Sequence, residues 1–522
     1  MGRRGHRRRR ARPDQPPRRH RVQAAAAAQR RSRQALDDLP RKGRHRRGRT
    51  RRGRHRPRRA GHPRPDRRRP LPLRRPRPLA RARRGERAAP HRGGRGLKPT
   101  APLREAHAHI APYGRSMSML DLSRCSSIGE LLDALERHAS SLEGDAWALG
   151  HGLRVEGLSE RRWPTQQEML GASGGRECVL WLFDHHALVA TGAPLRAAGI
   201  DKHAADPEGG LVDRDPSGEP TGVVYEKAAK LVWSIVPEPG PEQIRLDIVT
   251  ALEKFASMGF AEVHDLLSQP DAIDALLDLH ETGELDRIGV EVRLFAPIDD
   301  VRTILGRFGD RIDRAATAGR LRLAGTKLFA DGTLNGRTAL MLADYADPIP
   351  EHPRGMAVAS TRRIYESIRT SEAIGLPLAT HAIGDGAVRA VLDAIEELRP
   401  QTPGFRIEHA ELIDAADIPR FARLGVVCSV QPCHLLTDIE VLRRLLPNRL
   451  HRVLPLADLL GAGLQPGRTL LFGSDAPIVR PDPQDSIDAA TLRRRPGMPE
   501  SEAIAPAQAI DEATAWACFA RG

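Results

Sequence analysis

Widely separated histidines, a lysine and an aspartate have the residue types of a metal centre. His107 and His109 stand two positions apart in the segment EAHAHI. Alternate residues of a strand point to the same side, so this pair can bind one ion together. Imidazole and carboxylate ligands suit Zn, Fe or Mn and leave positions for water. The further candidates follow at wide spacing, and they are Lys327, His381, His409 and Asp475.

These candidates lie at the carboxyl ends of predicted strands. Short apolar runs alternate with helical patterns such as Glu242–Met258 and Ala387–Leu398. Eight strands, each followed by a helix, predict an α/β fold of the (β/α)8 TIM-like barrel type, whose catalytic residues gather at one rim. The predicted strands are Leu103–Ile110, Phe260–Leu266, Val290–Ala296, Leu321–Phe329, Leu378–His381, Phe405–Leu412, Val426–Val430 and Leu470–Asp475.

The connection after the first strand is too long for a simple loop. It runs over about residues 111–259 and contains a helical pattern at Ile128–Leu142 and a strand pattern at Val179–Phe183. It also holds a short run at Trp147–Gly150 and a turn-rich stretch at Asp213–Gly222. Long segments of this kind are typically functional. We predict a large inserted subdomain that caps the open face of the barrel.

Each candidate also has a purely structural interpretation. An HxH pair is common by chance, and a lone His381 or His409 is often an ordinary core or surface histidine. Lys327 could pair with Asp331, and Asp475 could cap the helix that follows it. A buried lysine near metals could instead lose its proton and react with carbon dioxide, giving a carbamate that bridges two ions. The joint placement of all six residues at strand ends favours the metal centre.

The charge of the chain is divided into two contrasting parts. Residues 1–100 contain 37 Arg and 2 Lys against 4 Asp and 1 Glu, a formal charge of +34. The remaining residues carry a formal charge of −17, within a total of +17. The first part is rich in Pro and Gly and lacks apolar periodicity, which predicts disorder. We therefore divide the chain into an Arg/Pro-rich segment at 1–100 and a barrel domain with the candidate metal centre at 101–522.

Three interpretations of the basic segment compete. It could be a nucleic-acid-binding arm, because arginine blocks bind phosphates. It could be a targeting peptide, although its apolar run Ala24–Ala28 is too short for a signal sequence. The third interpretation is a wrong reading frame or a misplaced start. The excess of Arg over Lys favours this third interpretation, because a GC-rich gene read out of frame yields Arg, Pro, Gly and Ala.

Cysteine usage and hydropathy exclude two classes of protein. The five cysteines are scattered and form no CxxC pair, which argues against a disulfide scaffold and favours a reducing, cytoplasmic location. No run approaches the roughly 18 apolar residues that a membrane-spanning helix needs, so we expect no membrane association.

A series of motifs resembles a known family. HAH, KLFADGTLNGRTAL, THAIGD, RIEHAEL, CSVQPCH and GSDAP follow one another in this order. Together they resemble the amidohydrolase superfamily, and more narrowly the amidohydrolase family 3 group of N-substituted formamide deformylase-like enzymes. Segments of the insertion such as WPTQQEML and PTGVVYEKA resemble the segments that this group has between its first and second strands. The resemblance covers roughly residues 103–520.

The resemblance implies a set of site roles. His107 and His109 would hold a first divalent metal, and His381 and His409 a second. Lys327 would bridge them as a carbamate, and Asp475 would be a metal-linked general base. The metal would be zinc, as one or two ions. Apart from the resemblance, we consider two roles for His186 and His434, namely binding of the developing oxyanion or the substrate and a plain structural role. The pair His264-Asp265, at the end of the second strand, is expected to support the ligands from behind.

The sequence departs from the group at several points. EAHAH stands where DAHxH is usual, and DHH at 184–186 stands where DGH is usual. Family members fold their two chain ends into a β-sandwich beside the barrel. Here the arginine-rich segment stands where family members have the N-terminal strands of this sandwich, and the sequence stops at Gly522 before the C-terminal strands. We therefore expect this companion sandwich to be missing or disrupted.

The predicted function is a metal-dependent amidohydrolase that cleaves a non-peptide C–N bond by attack of metal-activated hydroxide. The expected partner is a small amide-like molecule, and a homo-oligomer is possible. N-acyl amines, N-formyl compounds, cyclic amides and carbamates all remain open as substrates. The alternatives are an inactive, truncated hydrolase fragment or nucleic-acid binding through the basic segment.

Overall fold

The structure is a computed structural model that describes residues 101–183, 187–207 and 210–521. The predictions for residues 1–100, including disorder and nucleic-acid binding, lie outside the described residues, as does His186. The described strands are β1 Leu103–Ala108, β2 Leu120–Asp121, β3 Ala148–Leu153, β4 Cys178–Leu182, β5 Ala187–Ala190, β6 Gly210–Arg214, β7 Pro220–Glu226, β8 Phe260–Leu266, β9 Glu291–Pro297, β10 Leu321–Phe329, β11 Leu378–Ala382, β12 Arg406–His409, β13 Val427–Val430 and β14 Leu470–Phe472.

Helices follow most of the strands, and short 3-10 turns occur at 155–157, 450–452, 500–502 and 506–508. The helices are α1 Ile110–Ser118, α2 Ile128–Ser141, α3 Gln166–Ala172, α4 Gly192–Ala197, α5 Lys227–Trp233, α6 Pro241–Ser257, α7 Pro270–Glu281, α8 Glu284–Ile288, α9 Val301–Ala318, α10 Thr361–Ala373, α11 Asp385–Leu398, α12 Ile418–Leu424, α13 His434–Leu445, α14 Leu456–Gly461, α15 Pro483–Leu492 and α16 Glu512–Phe519.

Eight parallel strands form a nearly closed TIM-like barrel. Their order around the sheet is β1-β8-β9-β10-β11-β12-β13-β14. The amide of Asp475 donates to the carbonyl of His107 at 2.7 Å, and the amide of His109 donates to the carbonyl of Ala476 at 2.8 Å. These bonds join the end of the last strand to the first. The predicted (β/α)8 architecture is confirmed, and all eight predicted strands are present.

Three strands end earlier than the sequence predicts, and one of them is β12, which ends at His409 rather than Leu412. Strand β1 ends at Ala108, and His109 is instead the residue that precedes helix α1. Strand β14 ends at Phe472, three residues before Asp475. Asp475 has a φ of 62°, a left-handed conformation that cannot continue a strand. Both candidate ligands therefore lie just beyond their strands, at the rim.

Helix α6 shows why the barrel helices form where they do. Pro241 occupies the first turn, where its missing amide costs nothing, and the helix ends at Ser257, one residue before the predicted Met258. Its buried residues recur at helical spacing and face the barrel, and they are Ile248, Ala251, Leu252 and Phe255. The helix packs closely on α1 at Gly114, where an added Cβ would lie 1.8 Å from the carbonyl oxygen of Asp247.

The chain between β1 and β8 forms a second, six-stranded sheet of order β2-β3-β4-β5-β7-β6. Leu131 and Leu135 of α2 pack on one side of it, and Val232 of α5 belongs to a separate apolar cluster. The turn-rich stretch 213–222 contains the turn of a β-hairpin at 215–219, between the end of β6 and the start of β7. Within this turn the amide of Gly218 donates to the carbonyl of Asp215 at 2.9 Å.

The described residues form two sheets, the eight-stranded barrel and the six-stranded sheet of the insertion. No described strand precedes Leu103 or follows Phe472, and no companion β-sandwich is formed by residues 101–183, 187–207 and 210–521. Within the same ranges, no helix is both long and apolar enough to cross a membrane. All five cysteines are free thiols.

Candidate metal centre

The two histidines of the first strand converge on one carboxylate. Nε2 of His107 lies 3.2 Å from Oδ1 of Asp475, and Nε2 of His109 lies 3.1 Å from the same oxygen. The common direction expected of residues two apart is therefore observed. Asp475 does not cap the following helix, because Asp482 does so by accepting the amide of Gln484.

Two of the candidate ligands, His409 and Asp475, have left-handed backbone conformations although they are not glycine. The φ angle is 71° at His409 and 62° at Asp475. Such conformations cost of order 1 kcal/mol each and concentrate at functional sites. The backbone turns at the last residue of β12 and three residues after the end of β14, in both cases at the mouth of the barrel.

His107, His409 and Asp475 each place a possible ligand atom within 4.8 Å of the others, and all three are buried. The ring centroid of His409 lies 4.8 Å from that of His107 and 4.5 Å from that of His381. Nδ1 of His409 is buried and has no hydrogen-bond partner among the described residues. Burial and neighbouring cationic groups hold the pKa of His409 well below its usual value. A neutral imidazole with a free nitrogen fits a divalent metal ion.

Lys327 and His381 line the same cavity as these three residues. Nζ of Lys327 lies 5.0 Å from the ring centroid of Phe329, and burial lowers the pKa of this lysine to about 8. No hydrogen bond or ion pair joins Lys327 to Asp331, which instead accepts the amides of Leu340, Ile383 and Gly384. Burial lowers the pKa of His381 to about 3, and its Nε2 donates to the carbonyl of Gly332 at 3.0 Å.

A second possible ligand group contains His409, Glu411 and His434. Nδ1 of His434 lies 3.2 Å from Oε1 of Glu411, and Nε2 lies 3.3 Å from the carbonyl oxygen of Ser474. Burial opposes a charge on His434, but the hydrogen bond and charge of Glu411 outweigh it and raise the pKa to about 9. Sequence reasoning singled out His434 and missed Glu411, two positions after His409 in RIEHAEL.

Residues behind the ligands support them. Nδ1 of His107 is 2.7 Å from Oε2 of the fully buried Glu408. Asp265 accepts the amide of Ile110 at 2.8 Å, which anchors the turn after His109, whereas His264 faces Glu262 and Arg406. The sequence analysis did not single out Glu408 or Arg406, although both stand in the quoted motif RIEHAEL.

The centre opens into a cavity of about 910 Å³. The barrel and the insertion both line it, since Arg154 and Phe183 come from the insertion. Three large apolar side chains of this wall are partly exposed, at 37% for Phe183, 36% for Phe329 and 50% for Ile478. The cavity thus combines a polar floor with an apolar wall.

Comparisons with known proteins agree with this geometry. A family model described as "Amidohydrolase family" matches residues 96–521. The protein named "Putative amidohydrolase YtcJ" of Bacillus subtilis is 28% identical over 418 residues, which cover 78% of this chain and 76% of that protein. The N-substituted formamide deformylase of Arthrobacter pascens is 25% identical over 343 residues, or 63% of this chain and 61% of the relative.

Solved structures with this fold include metal-dependent hydrolases. An uncharacterized metal-dependent hydrolase from Pyrococcus horikoshii matches with a TM-score of 0.62 and 26% identity, over 80% of this chain and 78% of that one. A second, from Pyrococcus furiosus, matches with a TM-score of 0.60 and 26% identity, over 81% and 84% of the two chains. With a family match over most of its length, the chain belongs to the amidohydrolase family.

Proposed function

We propose that this chain is a metal-dependent hydrolase that cleaves a non-peptide, amide-like C–N bond of a small molecule. The observation that carries the proposal is the convergence of buried His107, His409 and Asp475 at the rim of the barrel. Family membership and the deformylase relative support the choice of an amide-like bond. The large cavity beside these residues supports a small-molecule substrate.

The proposed ligands are His107, His109, His381, His409 and Asp475, and the proposed ion is zinc, one or two per chain. When bound, a divalent ion polarises a carbonyl and lowers the pKa of a bound water from about 15.7 toward 7. The nitrogen-rich set with one carboxylate supports zinc over magnesium or calcium, which prefer oxygen ligands. Glu411 and His434 border the same space and are candidates for holding a second ion.

Asp475 is the proposed general base. Its carboxylate faces the cavity and lies within 3.2 Å of two imidazoles. It accepts the proton that the attacking water loses and passes this proton to the leaving nitrogen, which otherwise departs as an unstable amide anion. We also propose that His434 and His186 bind the substrate, and the position of His434 in the cavity lining, beside Glu411, supports the first of these roles.

Lys327 is proposed to act as a carbamate. A neutral Nζ attacks the carbon of carbon dioxide, an N–C bond forms, and one N–H proton leaves to solvent. The depressed pKa that burial gives this lysine supports the neutral amine. The carbamate replaces a buried cation with an anionic oxygen pair, a group that binds metals. Among residues 101–183, 187–207 and 210–521, no carboxylate forms an ion pair with Nζ, which is consistent with this modification.

The inserted residues about 111–259 are proposed to act as a subdomain that covers the cavity. Phe183 and Arg154 support this, since the guanidinium carbon of Arg154 stacks 4.1 Å from the ring centroid of Phe183 at the cavity wall. We further propose a cytoplasmic location, supported by five free thiols.

The direct test combines metal analysis with a substrate panel. Purified protein is analysed by mass spectrometry for bound metals and assayed on N-acyl amines, N-formyl compounds, cyclic amides and carbamates. We expect stoichiometric zinc and turnover of at least one class. The variant His107→Ala is expected to lose metal, and the exposed-residue control His451→Ala is expected to keep it. Full metal occupancy in His107→Ala contradicts the proposed site, and metal without turnover indicates an inactive hydrolase.

A further inference from the structure

A line of charged side chains crosses the interior of the barrel. TIM-barrel interiors are usually filled by branched apolar residues. Here Glu262 and His264 of β8 and Arg406 and Glu408 of β12 are all buried, with exposures of 6%, 9%, 4% and 0%. Burying ionised groups is costly unless each is paired, so their arrangement requires a specific explanation.

Consecutive hydrogen bonds connect these groups to the candidate metal centre. Nε2 of His264 is 2.9 Å from Oε1 of Glu262, and its Nδ1 is 2.9 Å from Nη1 of Arg406. Arg406 donates to both oxygens of Glu408, with Nη2 at 3.0 Å from Oε2. Oε2 of Glu408 then faces Nδ1 of His107 at 2.7 Å. The line therefore ends on a candidate ligand.

The donor and acceptor types determine where the protons are. A guanidinium only donates, so Nδ1 of His264 must accept from Arg406, and the proton of this imidazole is on Nε2, where it donates to Glu262. At the other end, Glu408 receives two bonds from Arg406 and is held as a carboxylate, which only accepts. Nδ1 of His107 must therefore carry a proton. The lone pair of this imidazole is then on Nε2, the atom nearest Asp475.

Arg406 is itself held in a fixed orientation. Its Nη2 also donates to the carbonyl of Ala106 at 2.8 Å and to Oγ of Ser429 at 2.8 Å. These bonds reach the neighbouring strand β13 and, across the barrel, strand β1, so rotation of the guanidinium would break several contacts at once. A rigid donor of this kind keeps the carboxylate of Glu408 aimed at His107.

We propose that Arg406 and Glu408 are a positioning pair that holds His107 as the Nδ1–H tautomer with Nε2 free for a metal ion. This inference rests on the proposed role of His107 as a ligand. Carboxylates that accept from the outer nitrogen of a ligand histidine fix its ring and strengthen its binding, and their loss typically costs about 10–100-fold in metal affinity.

The test reads the tautomer in metal-free protein. NMR of protein with ¹⁵N-labelled histidine distinguishes a protonated from an unprotonated ring nitrogen, and the signals of His107 are those missing from His107→Gln. Wild-type protein is expected to show the proton on Nδ1. In Glu408→Gln the side-chain amide faces His107 and donates, so the proton is expected to move to Nε2. Zinc affinity, measured by competition with a chelator, is expected to fall about 10–100-fold.

Two further variants control for structural damage. Glu408→Asp keeps the carboxylate and is expected to keep the Nδ1–H tautomer. Glu291→Gln removes a carboxylate that pairs with Arg293 and Arg521 on the same barrel, away from His107, and is expected to change neither tautomer nor affinity.

Two results would overturn the inference: an Nε2–H tautomer in the wild type, which requires no folded variant, or wild-type tautomer and affinity in a folded Glu408→Gln. If wild-type protein binds no zinc, the proposed function fails, while the wild-type tautomer still decides the inference.

Discussion

At the scale of single residues, the centre depends on a carboxylate placed between imidazoles. Oδ1 of Asp475 lies within 3.2 Å of Nε2 of both His107 and His109. Burial would by itself raise the pKa of Asp475, but the neighbouring imidazoles outweigh it and hold the pKa well below the usual value. An ionised carboxylate is what the roles of ligand and proton acceptor both require.

Replacing this carboxylate separates its two roles. Asp475→Asn keeps the size and the oxygen near the histidines but cannot accept a proton. We expect kcat to fall about 10²–10⁴-fold, the usual contribution of general acid–base catalysis, while metal content stays near that of the wild type. Steady-state kinetics and metal analysis measure the two effects. The exposed-residue control Asp393→Asn should be unaffected, and near-normal turnover of Asp475→Asn would refute the role.

At the scale of elements, the end of the last strand must pass close to the first. A Cβ added at Gly473 would lie 2.6 Å from the amide nitrogen of His107 and 2.7 Å from Oε1 of Glu105. Oε1 of Glu105 already accepts the amides of His107 and Ser474, at 3.0 and 2.9 Å. Glycine at this position therefore lets β14 and β1 bring their two ligands together.

The variant Gly473→Ala should damage the fold and the metal site together. The methyl group displaces backbone rather than a flexible side chain, and overpacking of this kind typically costs about 1–3 kcal/mol. We expect a lower Tm by calorimetry and weaker zinc binding by chelator competition. The control Gly306→Ala lies in helix α9 with nothing within 4 Å of the new Cβ, so it should keep or raise stability. Unchanged metal binding in Gly473→Ala would show that the close approach does not position the ligands.

At the scale of the whole molecule, the site links the first and last strands of the barrel. His107 and Asp475 are 368 positions apart, and the ligands meet only in the folded chain. An ion that binds the native state and not the unfolded chain stabilises the native state through mass action. The proposed metal should therefore contribute to the stability of the entire barrel.

Removing the metal should lower the thermal stability. We expect a lower Tm after treatment with a chelator and recovery on adding zinc, because free zinc at 100 times its Kd contributes about 2.7 kcal/mol. Calorimetry at several zinc concentrations measures the effect. His107→Ala supplies the control, since its Tm should not respond to zinc. A Tm that is independent of zinc in the wild type argues against a resident metal.

The insertion provides a separate prediction about substrate binding. Phe183 is partly exposed in the cavity wall, so its ring can cover an apolar part of a substrate. For a substrate found in the panel with an apolar substituent, Phe183→Ala should raise KM with little change in kcat, because this contact is equal in the ground and transition states. The matched control is Leu211→Ala, an exposed apolar residue of β6 outside the cavity. Equal kinetics for wild type and Phe183→Ala would exclude this contact.

Local sequence patterns determined the elements of the barrel and most of the candidate ligands. Apolar runs followed by helical periodicity predicted all eight strands, with β8 and β10 at their observed bounds. This works because strand and helix periodicity depend on neighbouring residues. At 213–222 it indicated the turn at 215–219 but not the two hairpin strands that pair on either side of it. Pro and Gly marked the tip of that hairpin without revealing the pairing.

Only the tertiary structure decided which side chains share contacts. Glu408 is paired with His107 across 301 positions, and Arg406 reaches three other strands, so no local pattern could indicate either role. The structure also brings His107 and His409 together with Asp475 in one possible ligand group, whereas the resemblance placed the two histidines on separate metals. Hydrogen-bond partners and the pKa of a buried group depend on distances between strands, and these distances exist only once the barrel has closed.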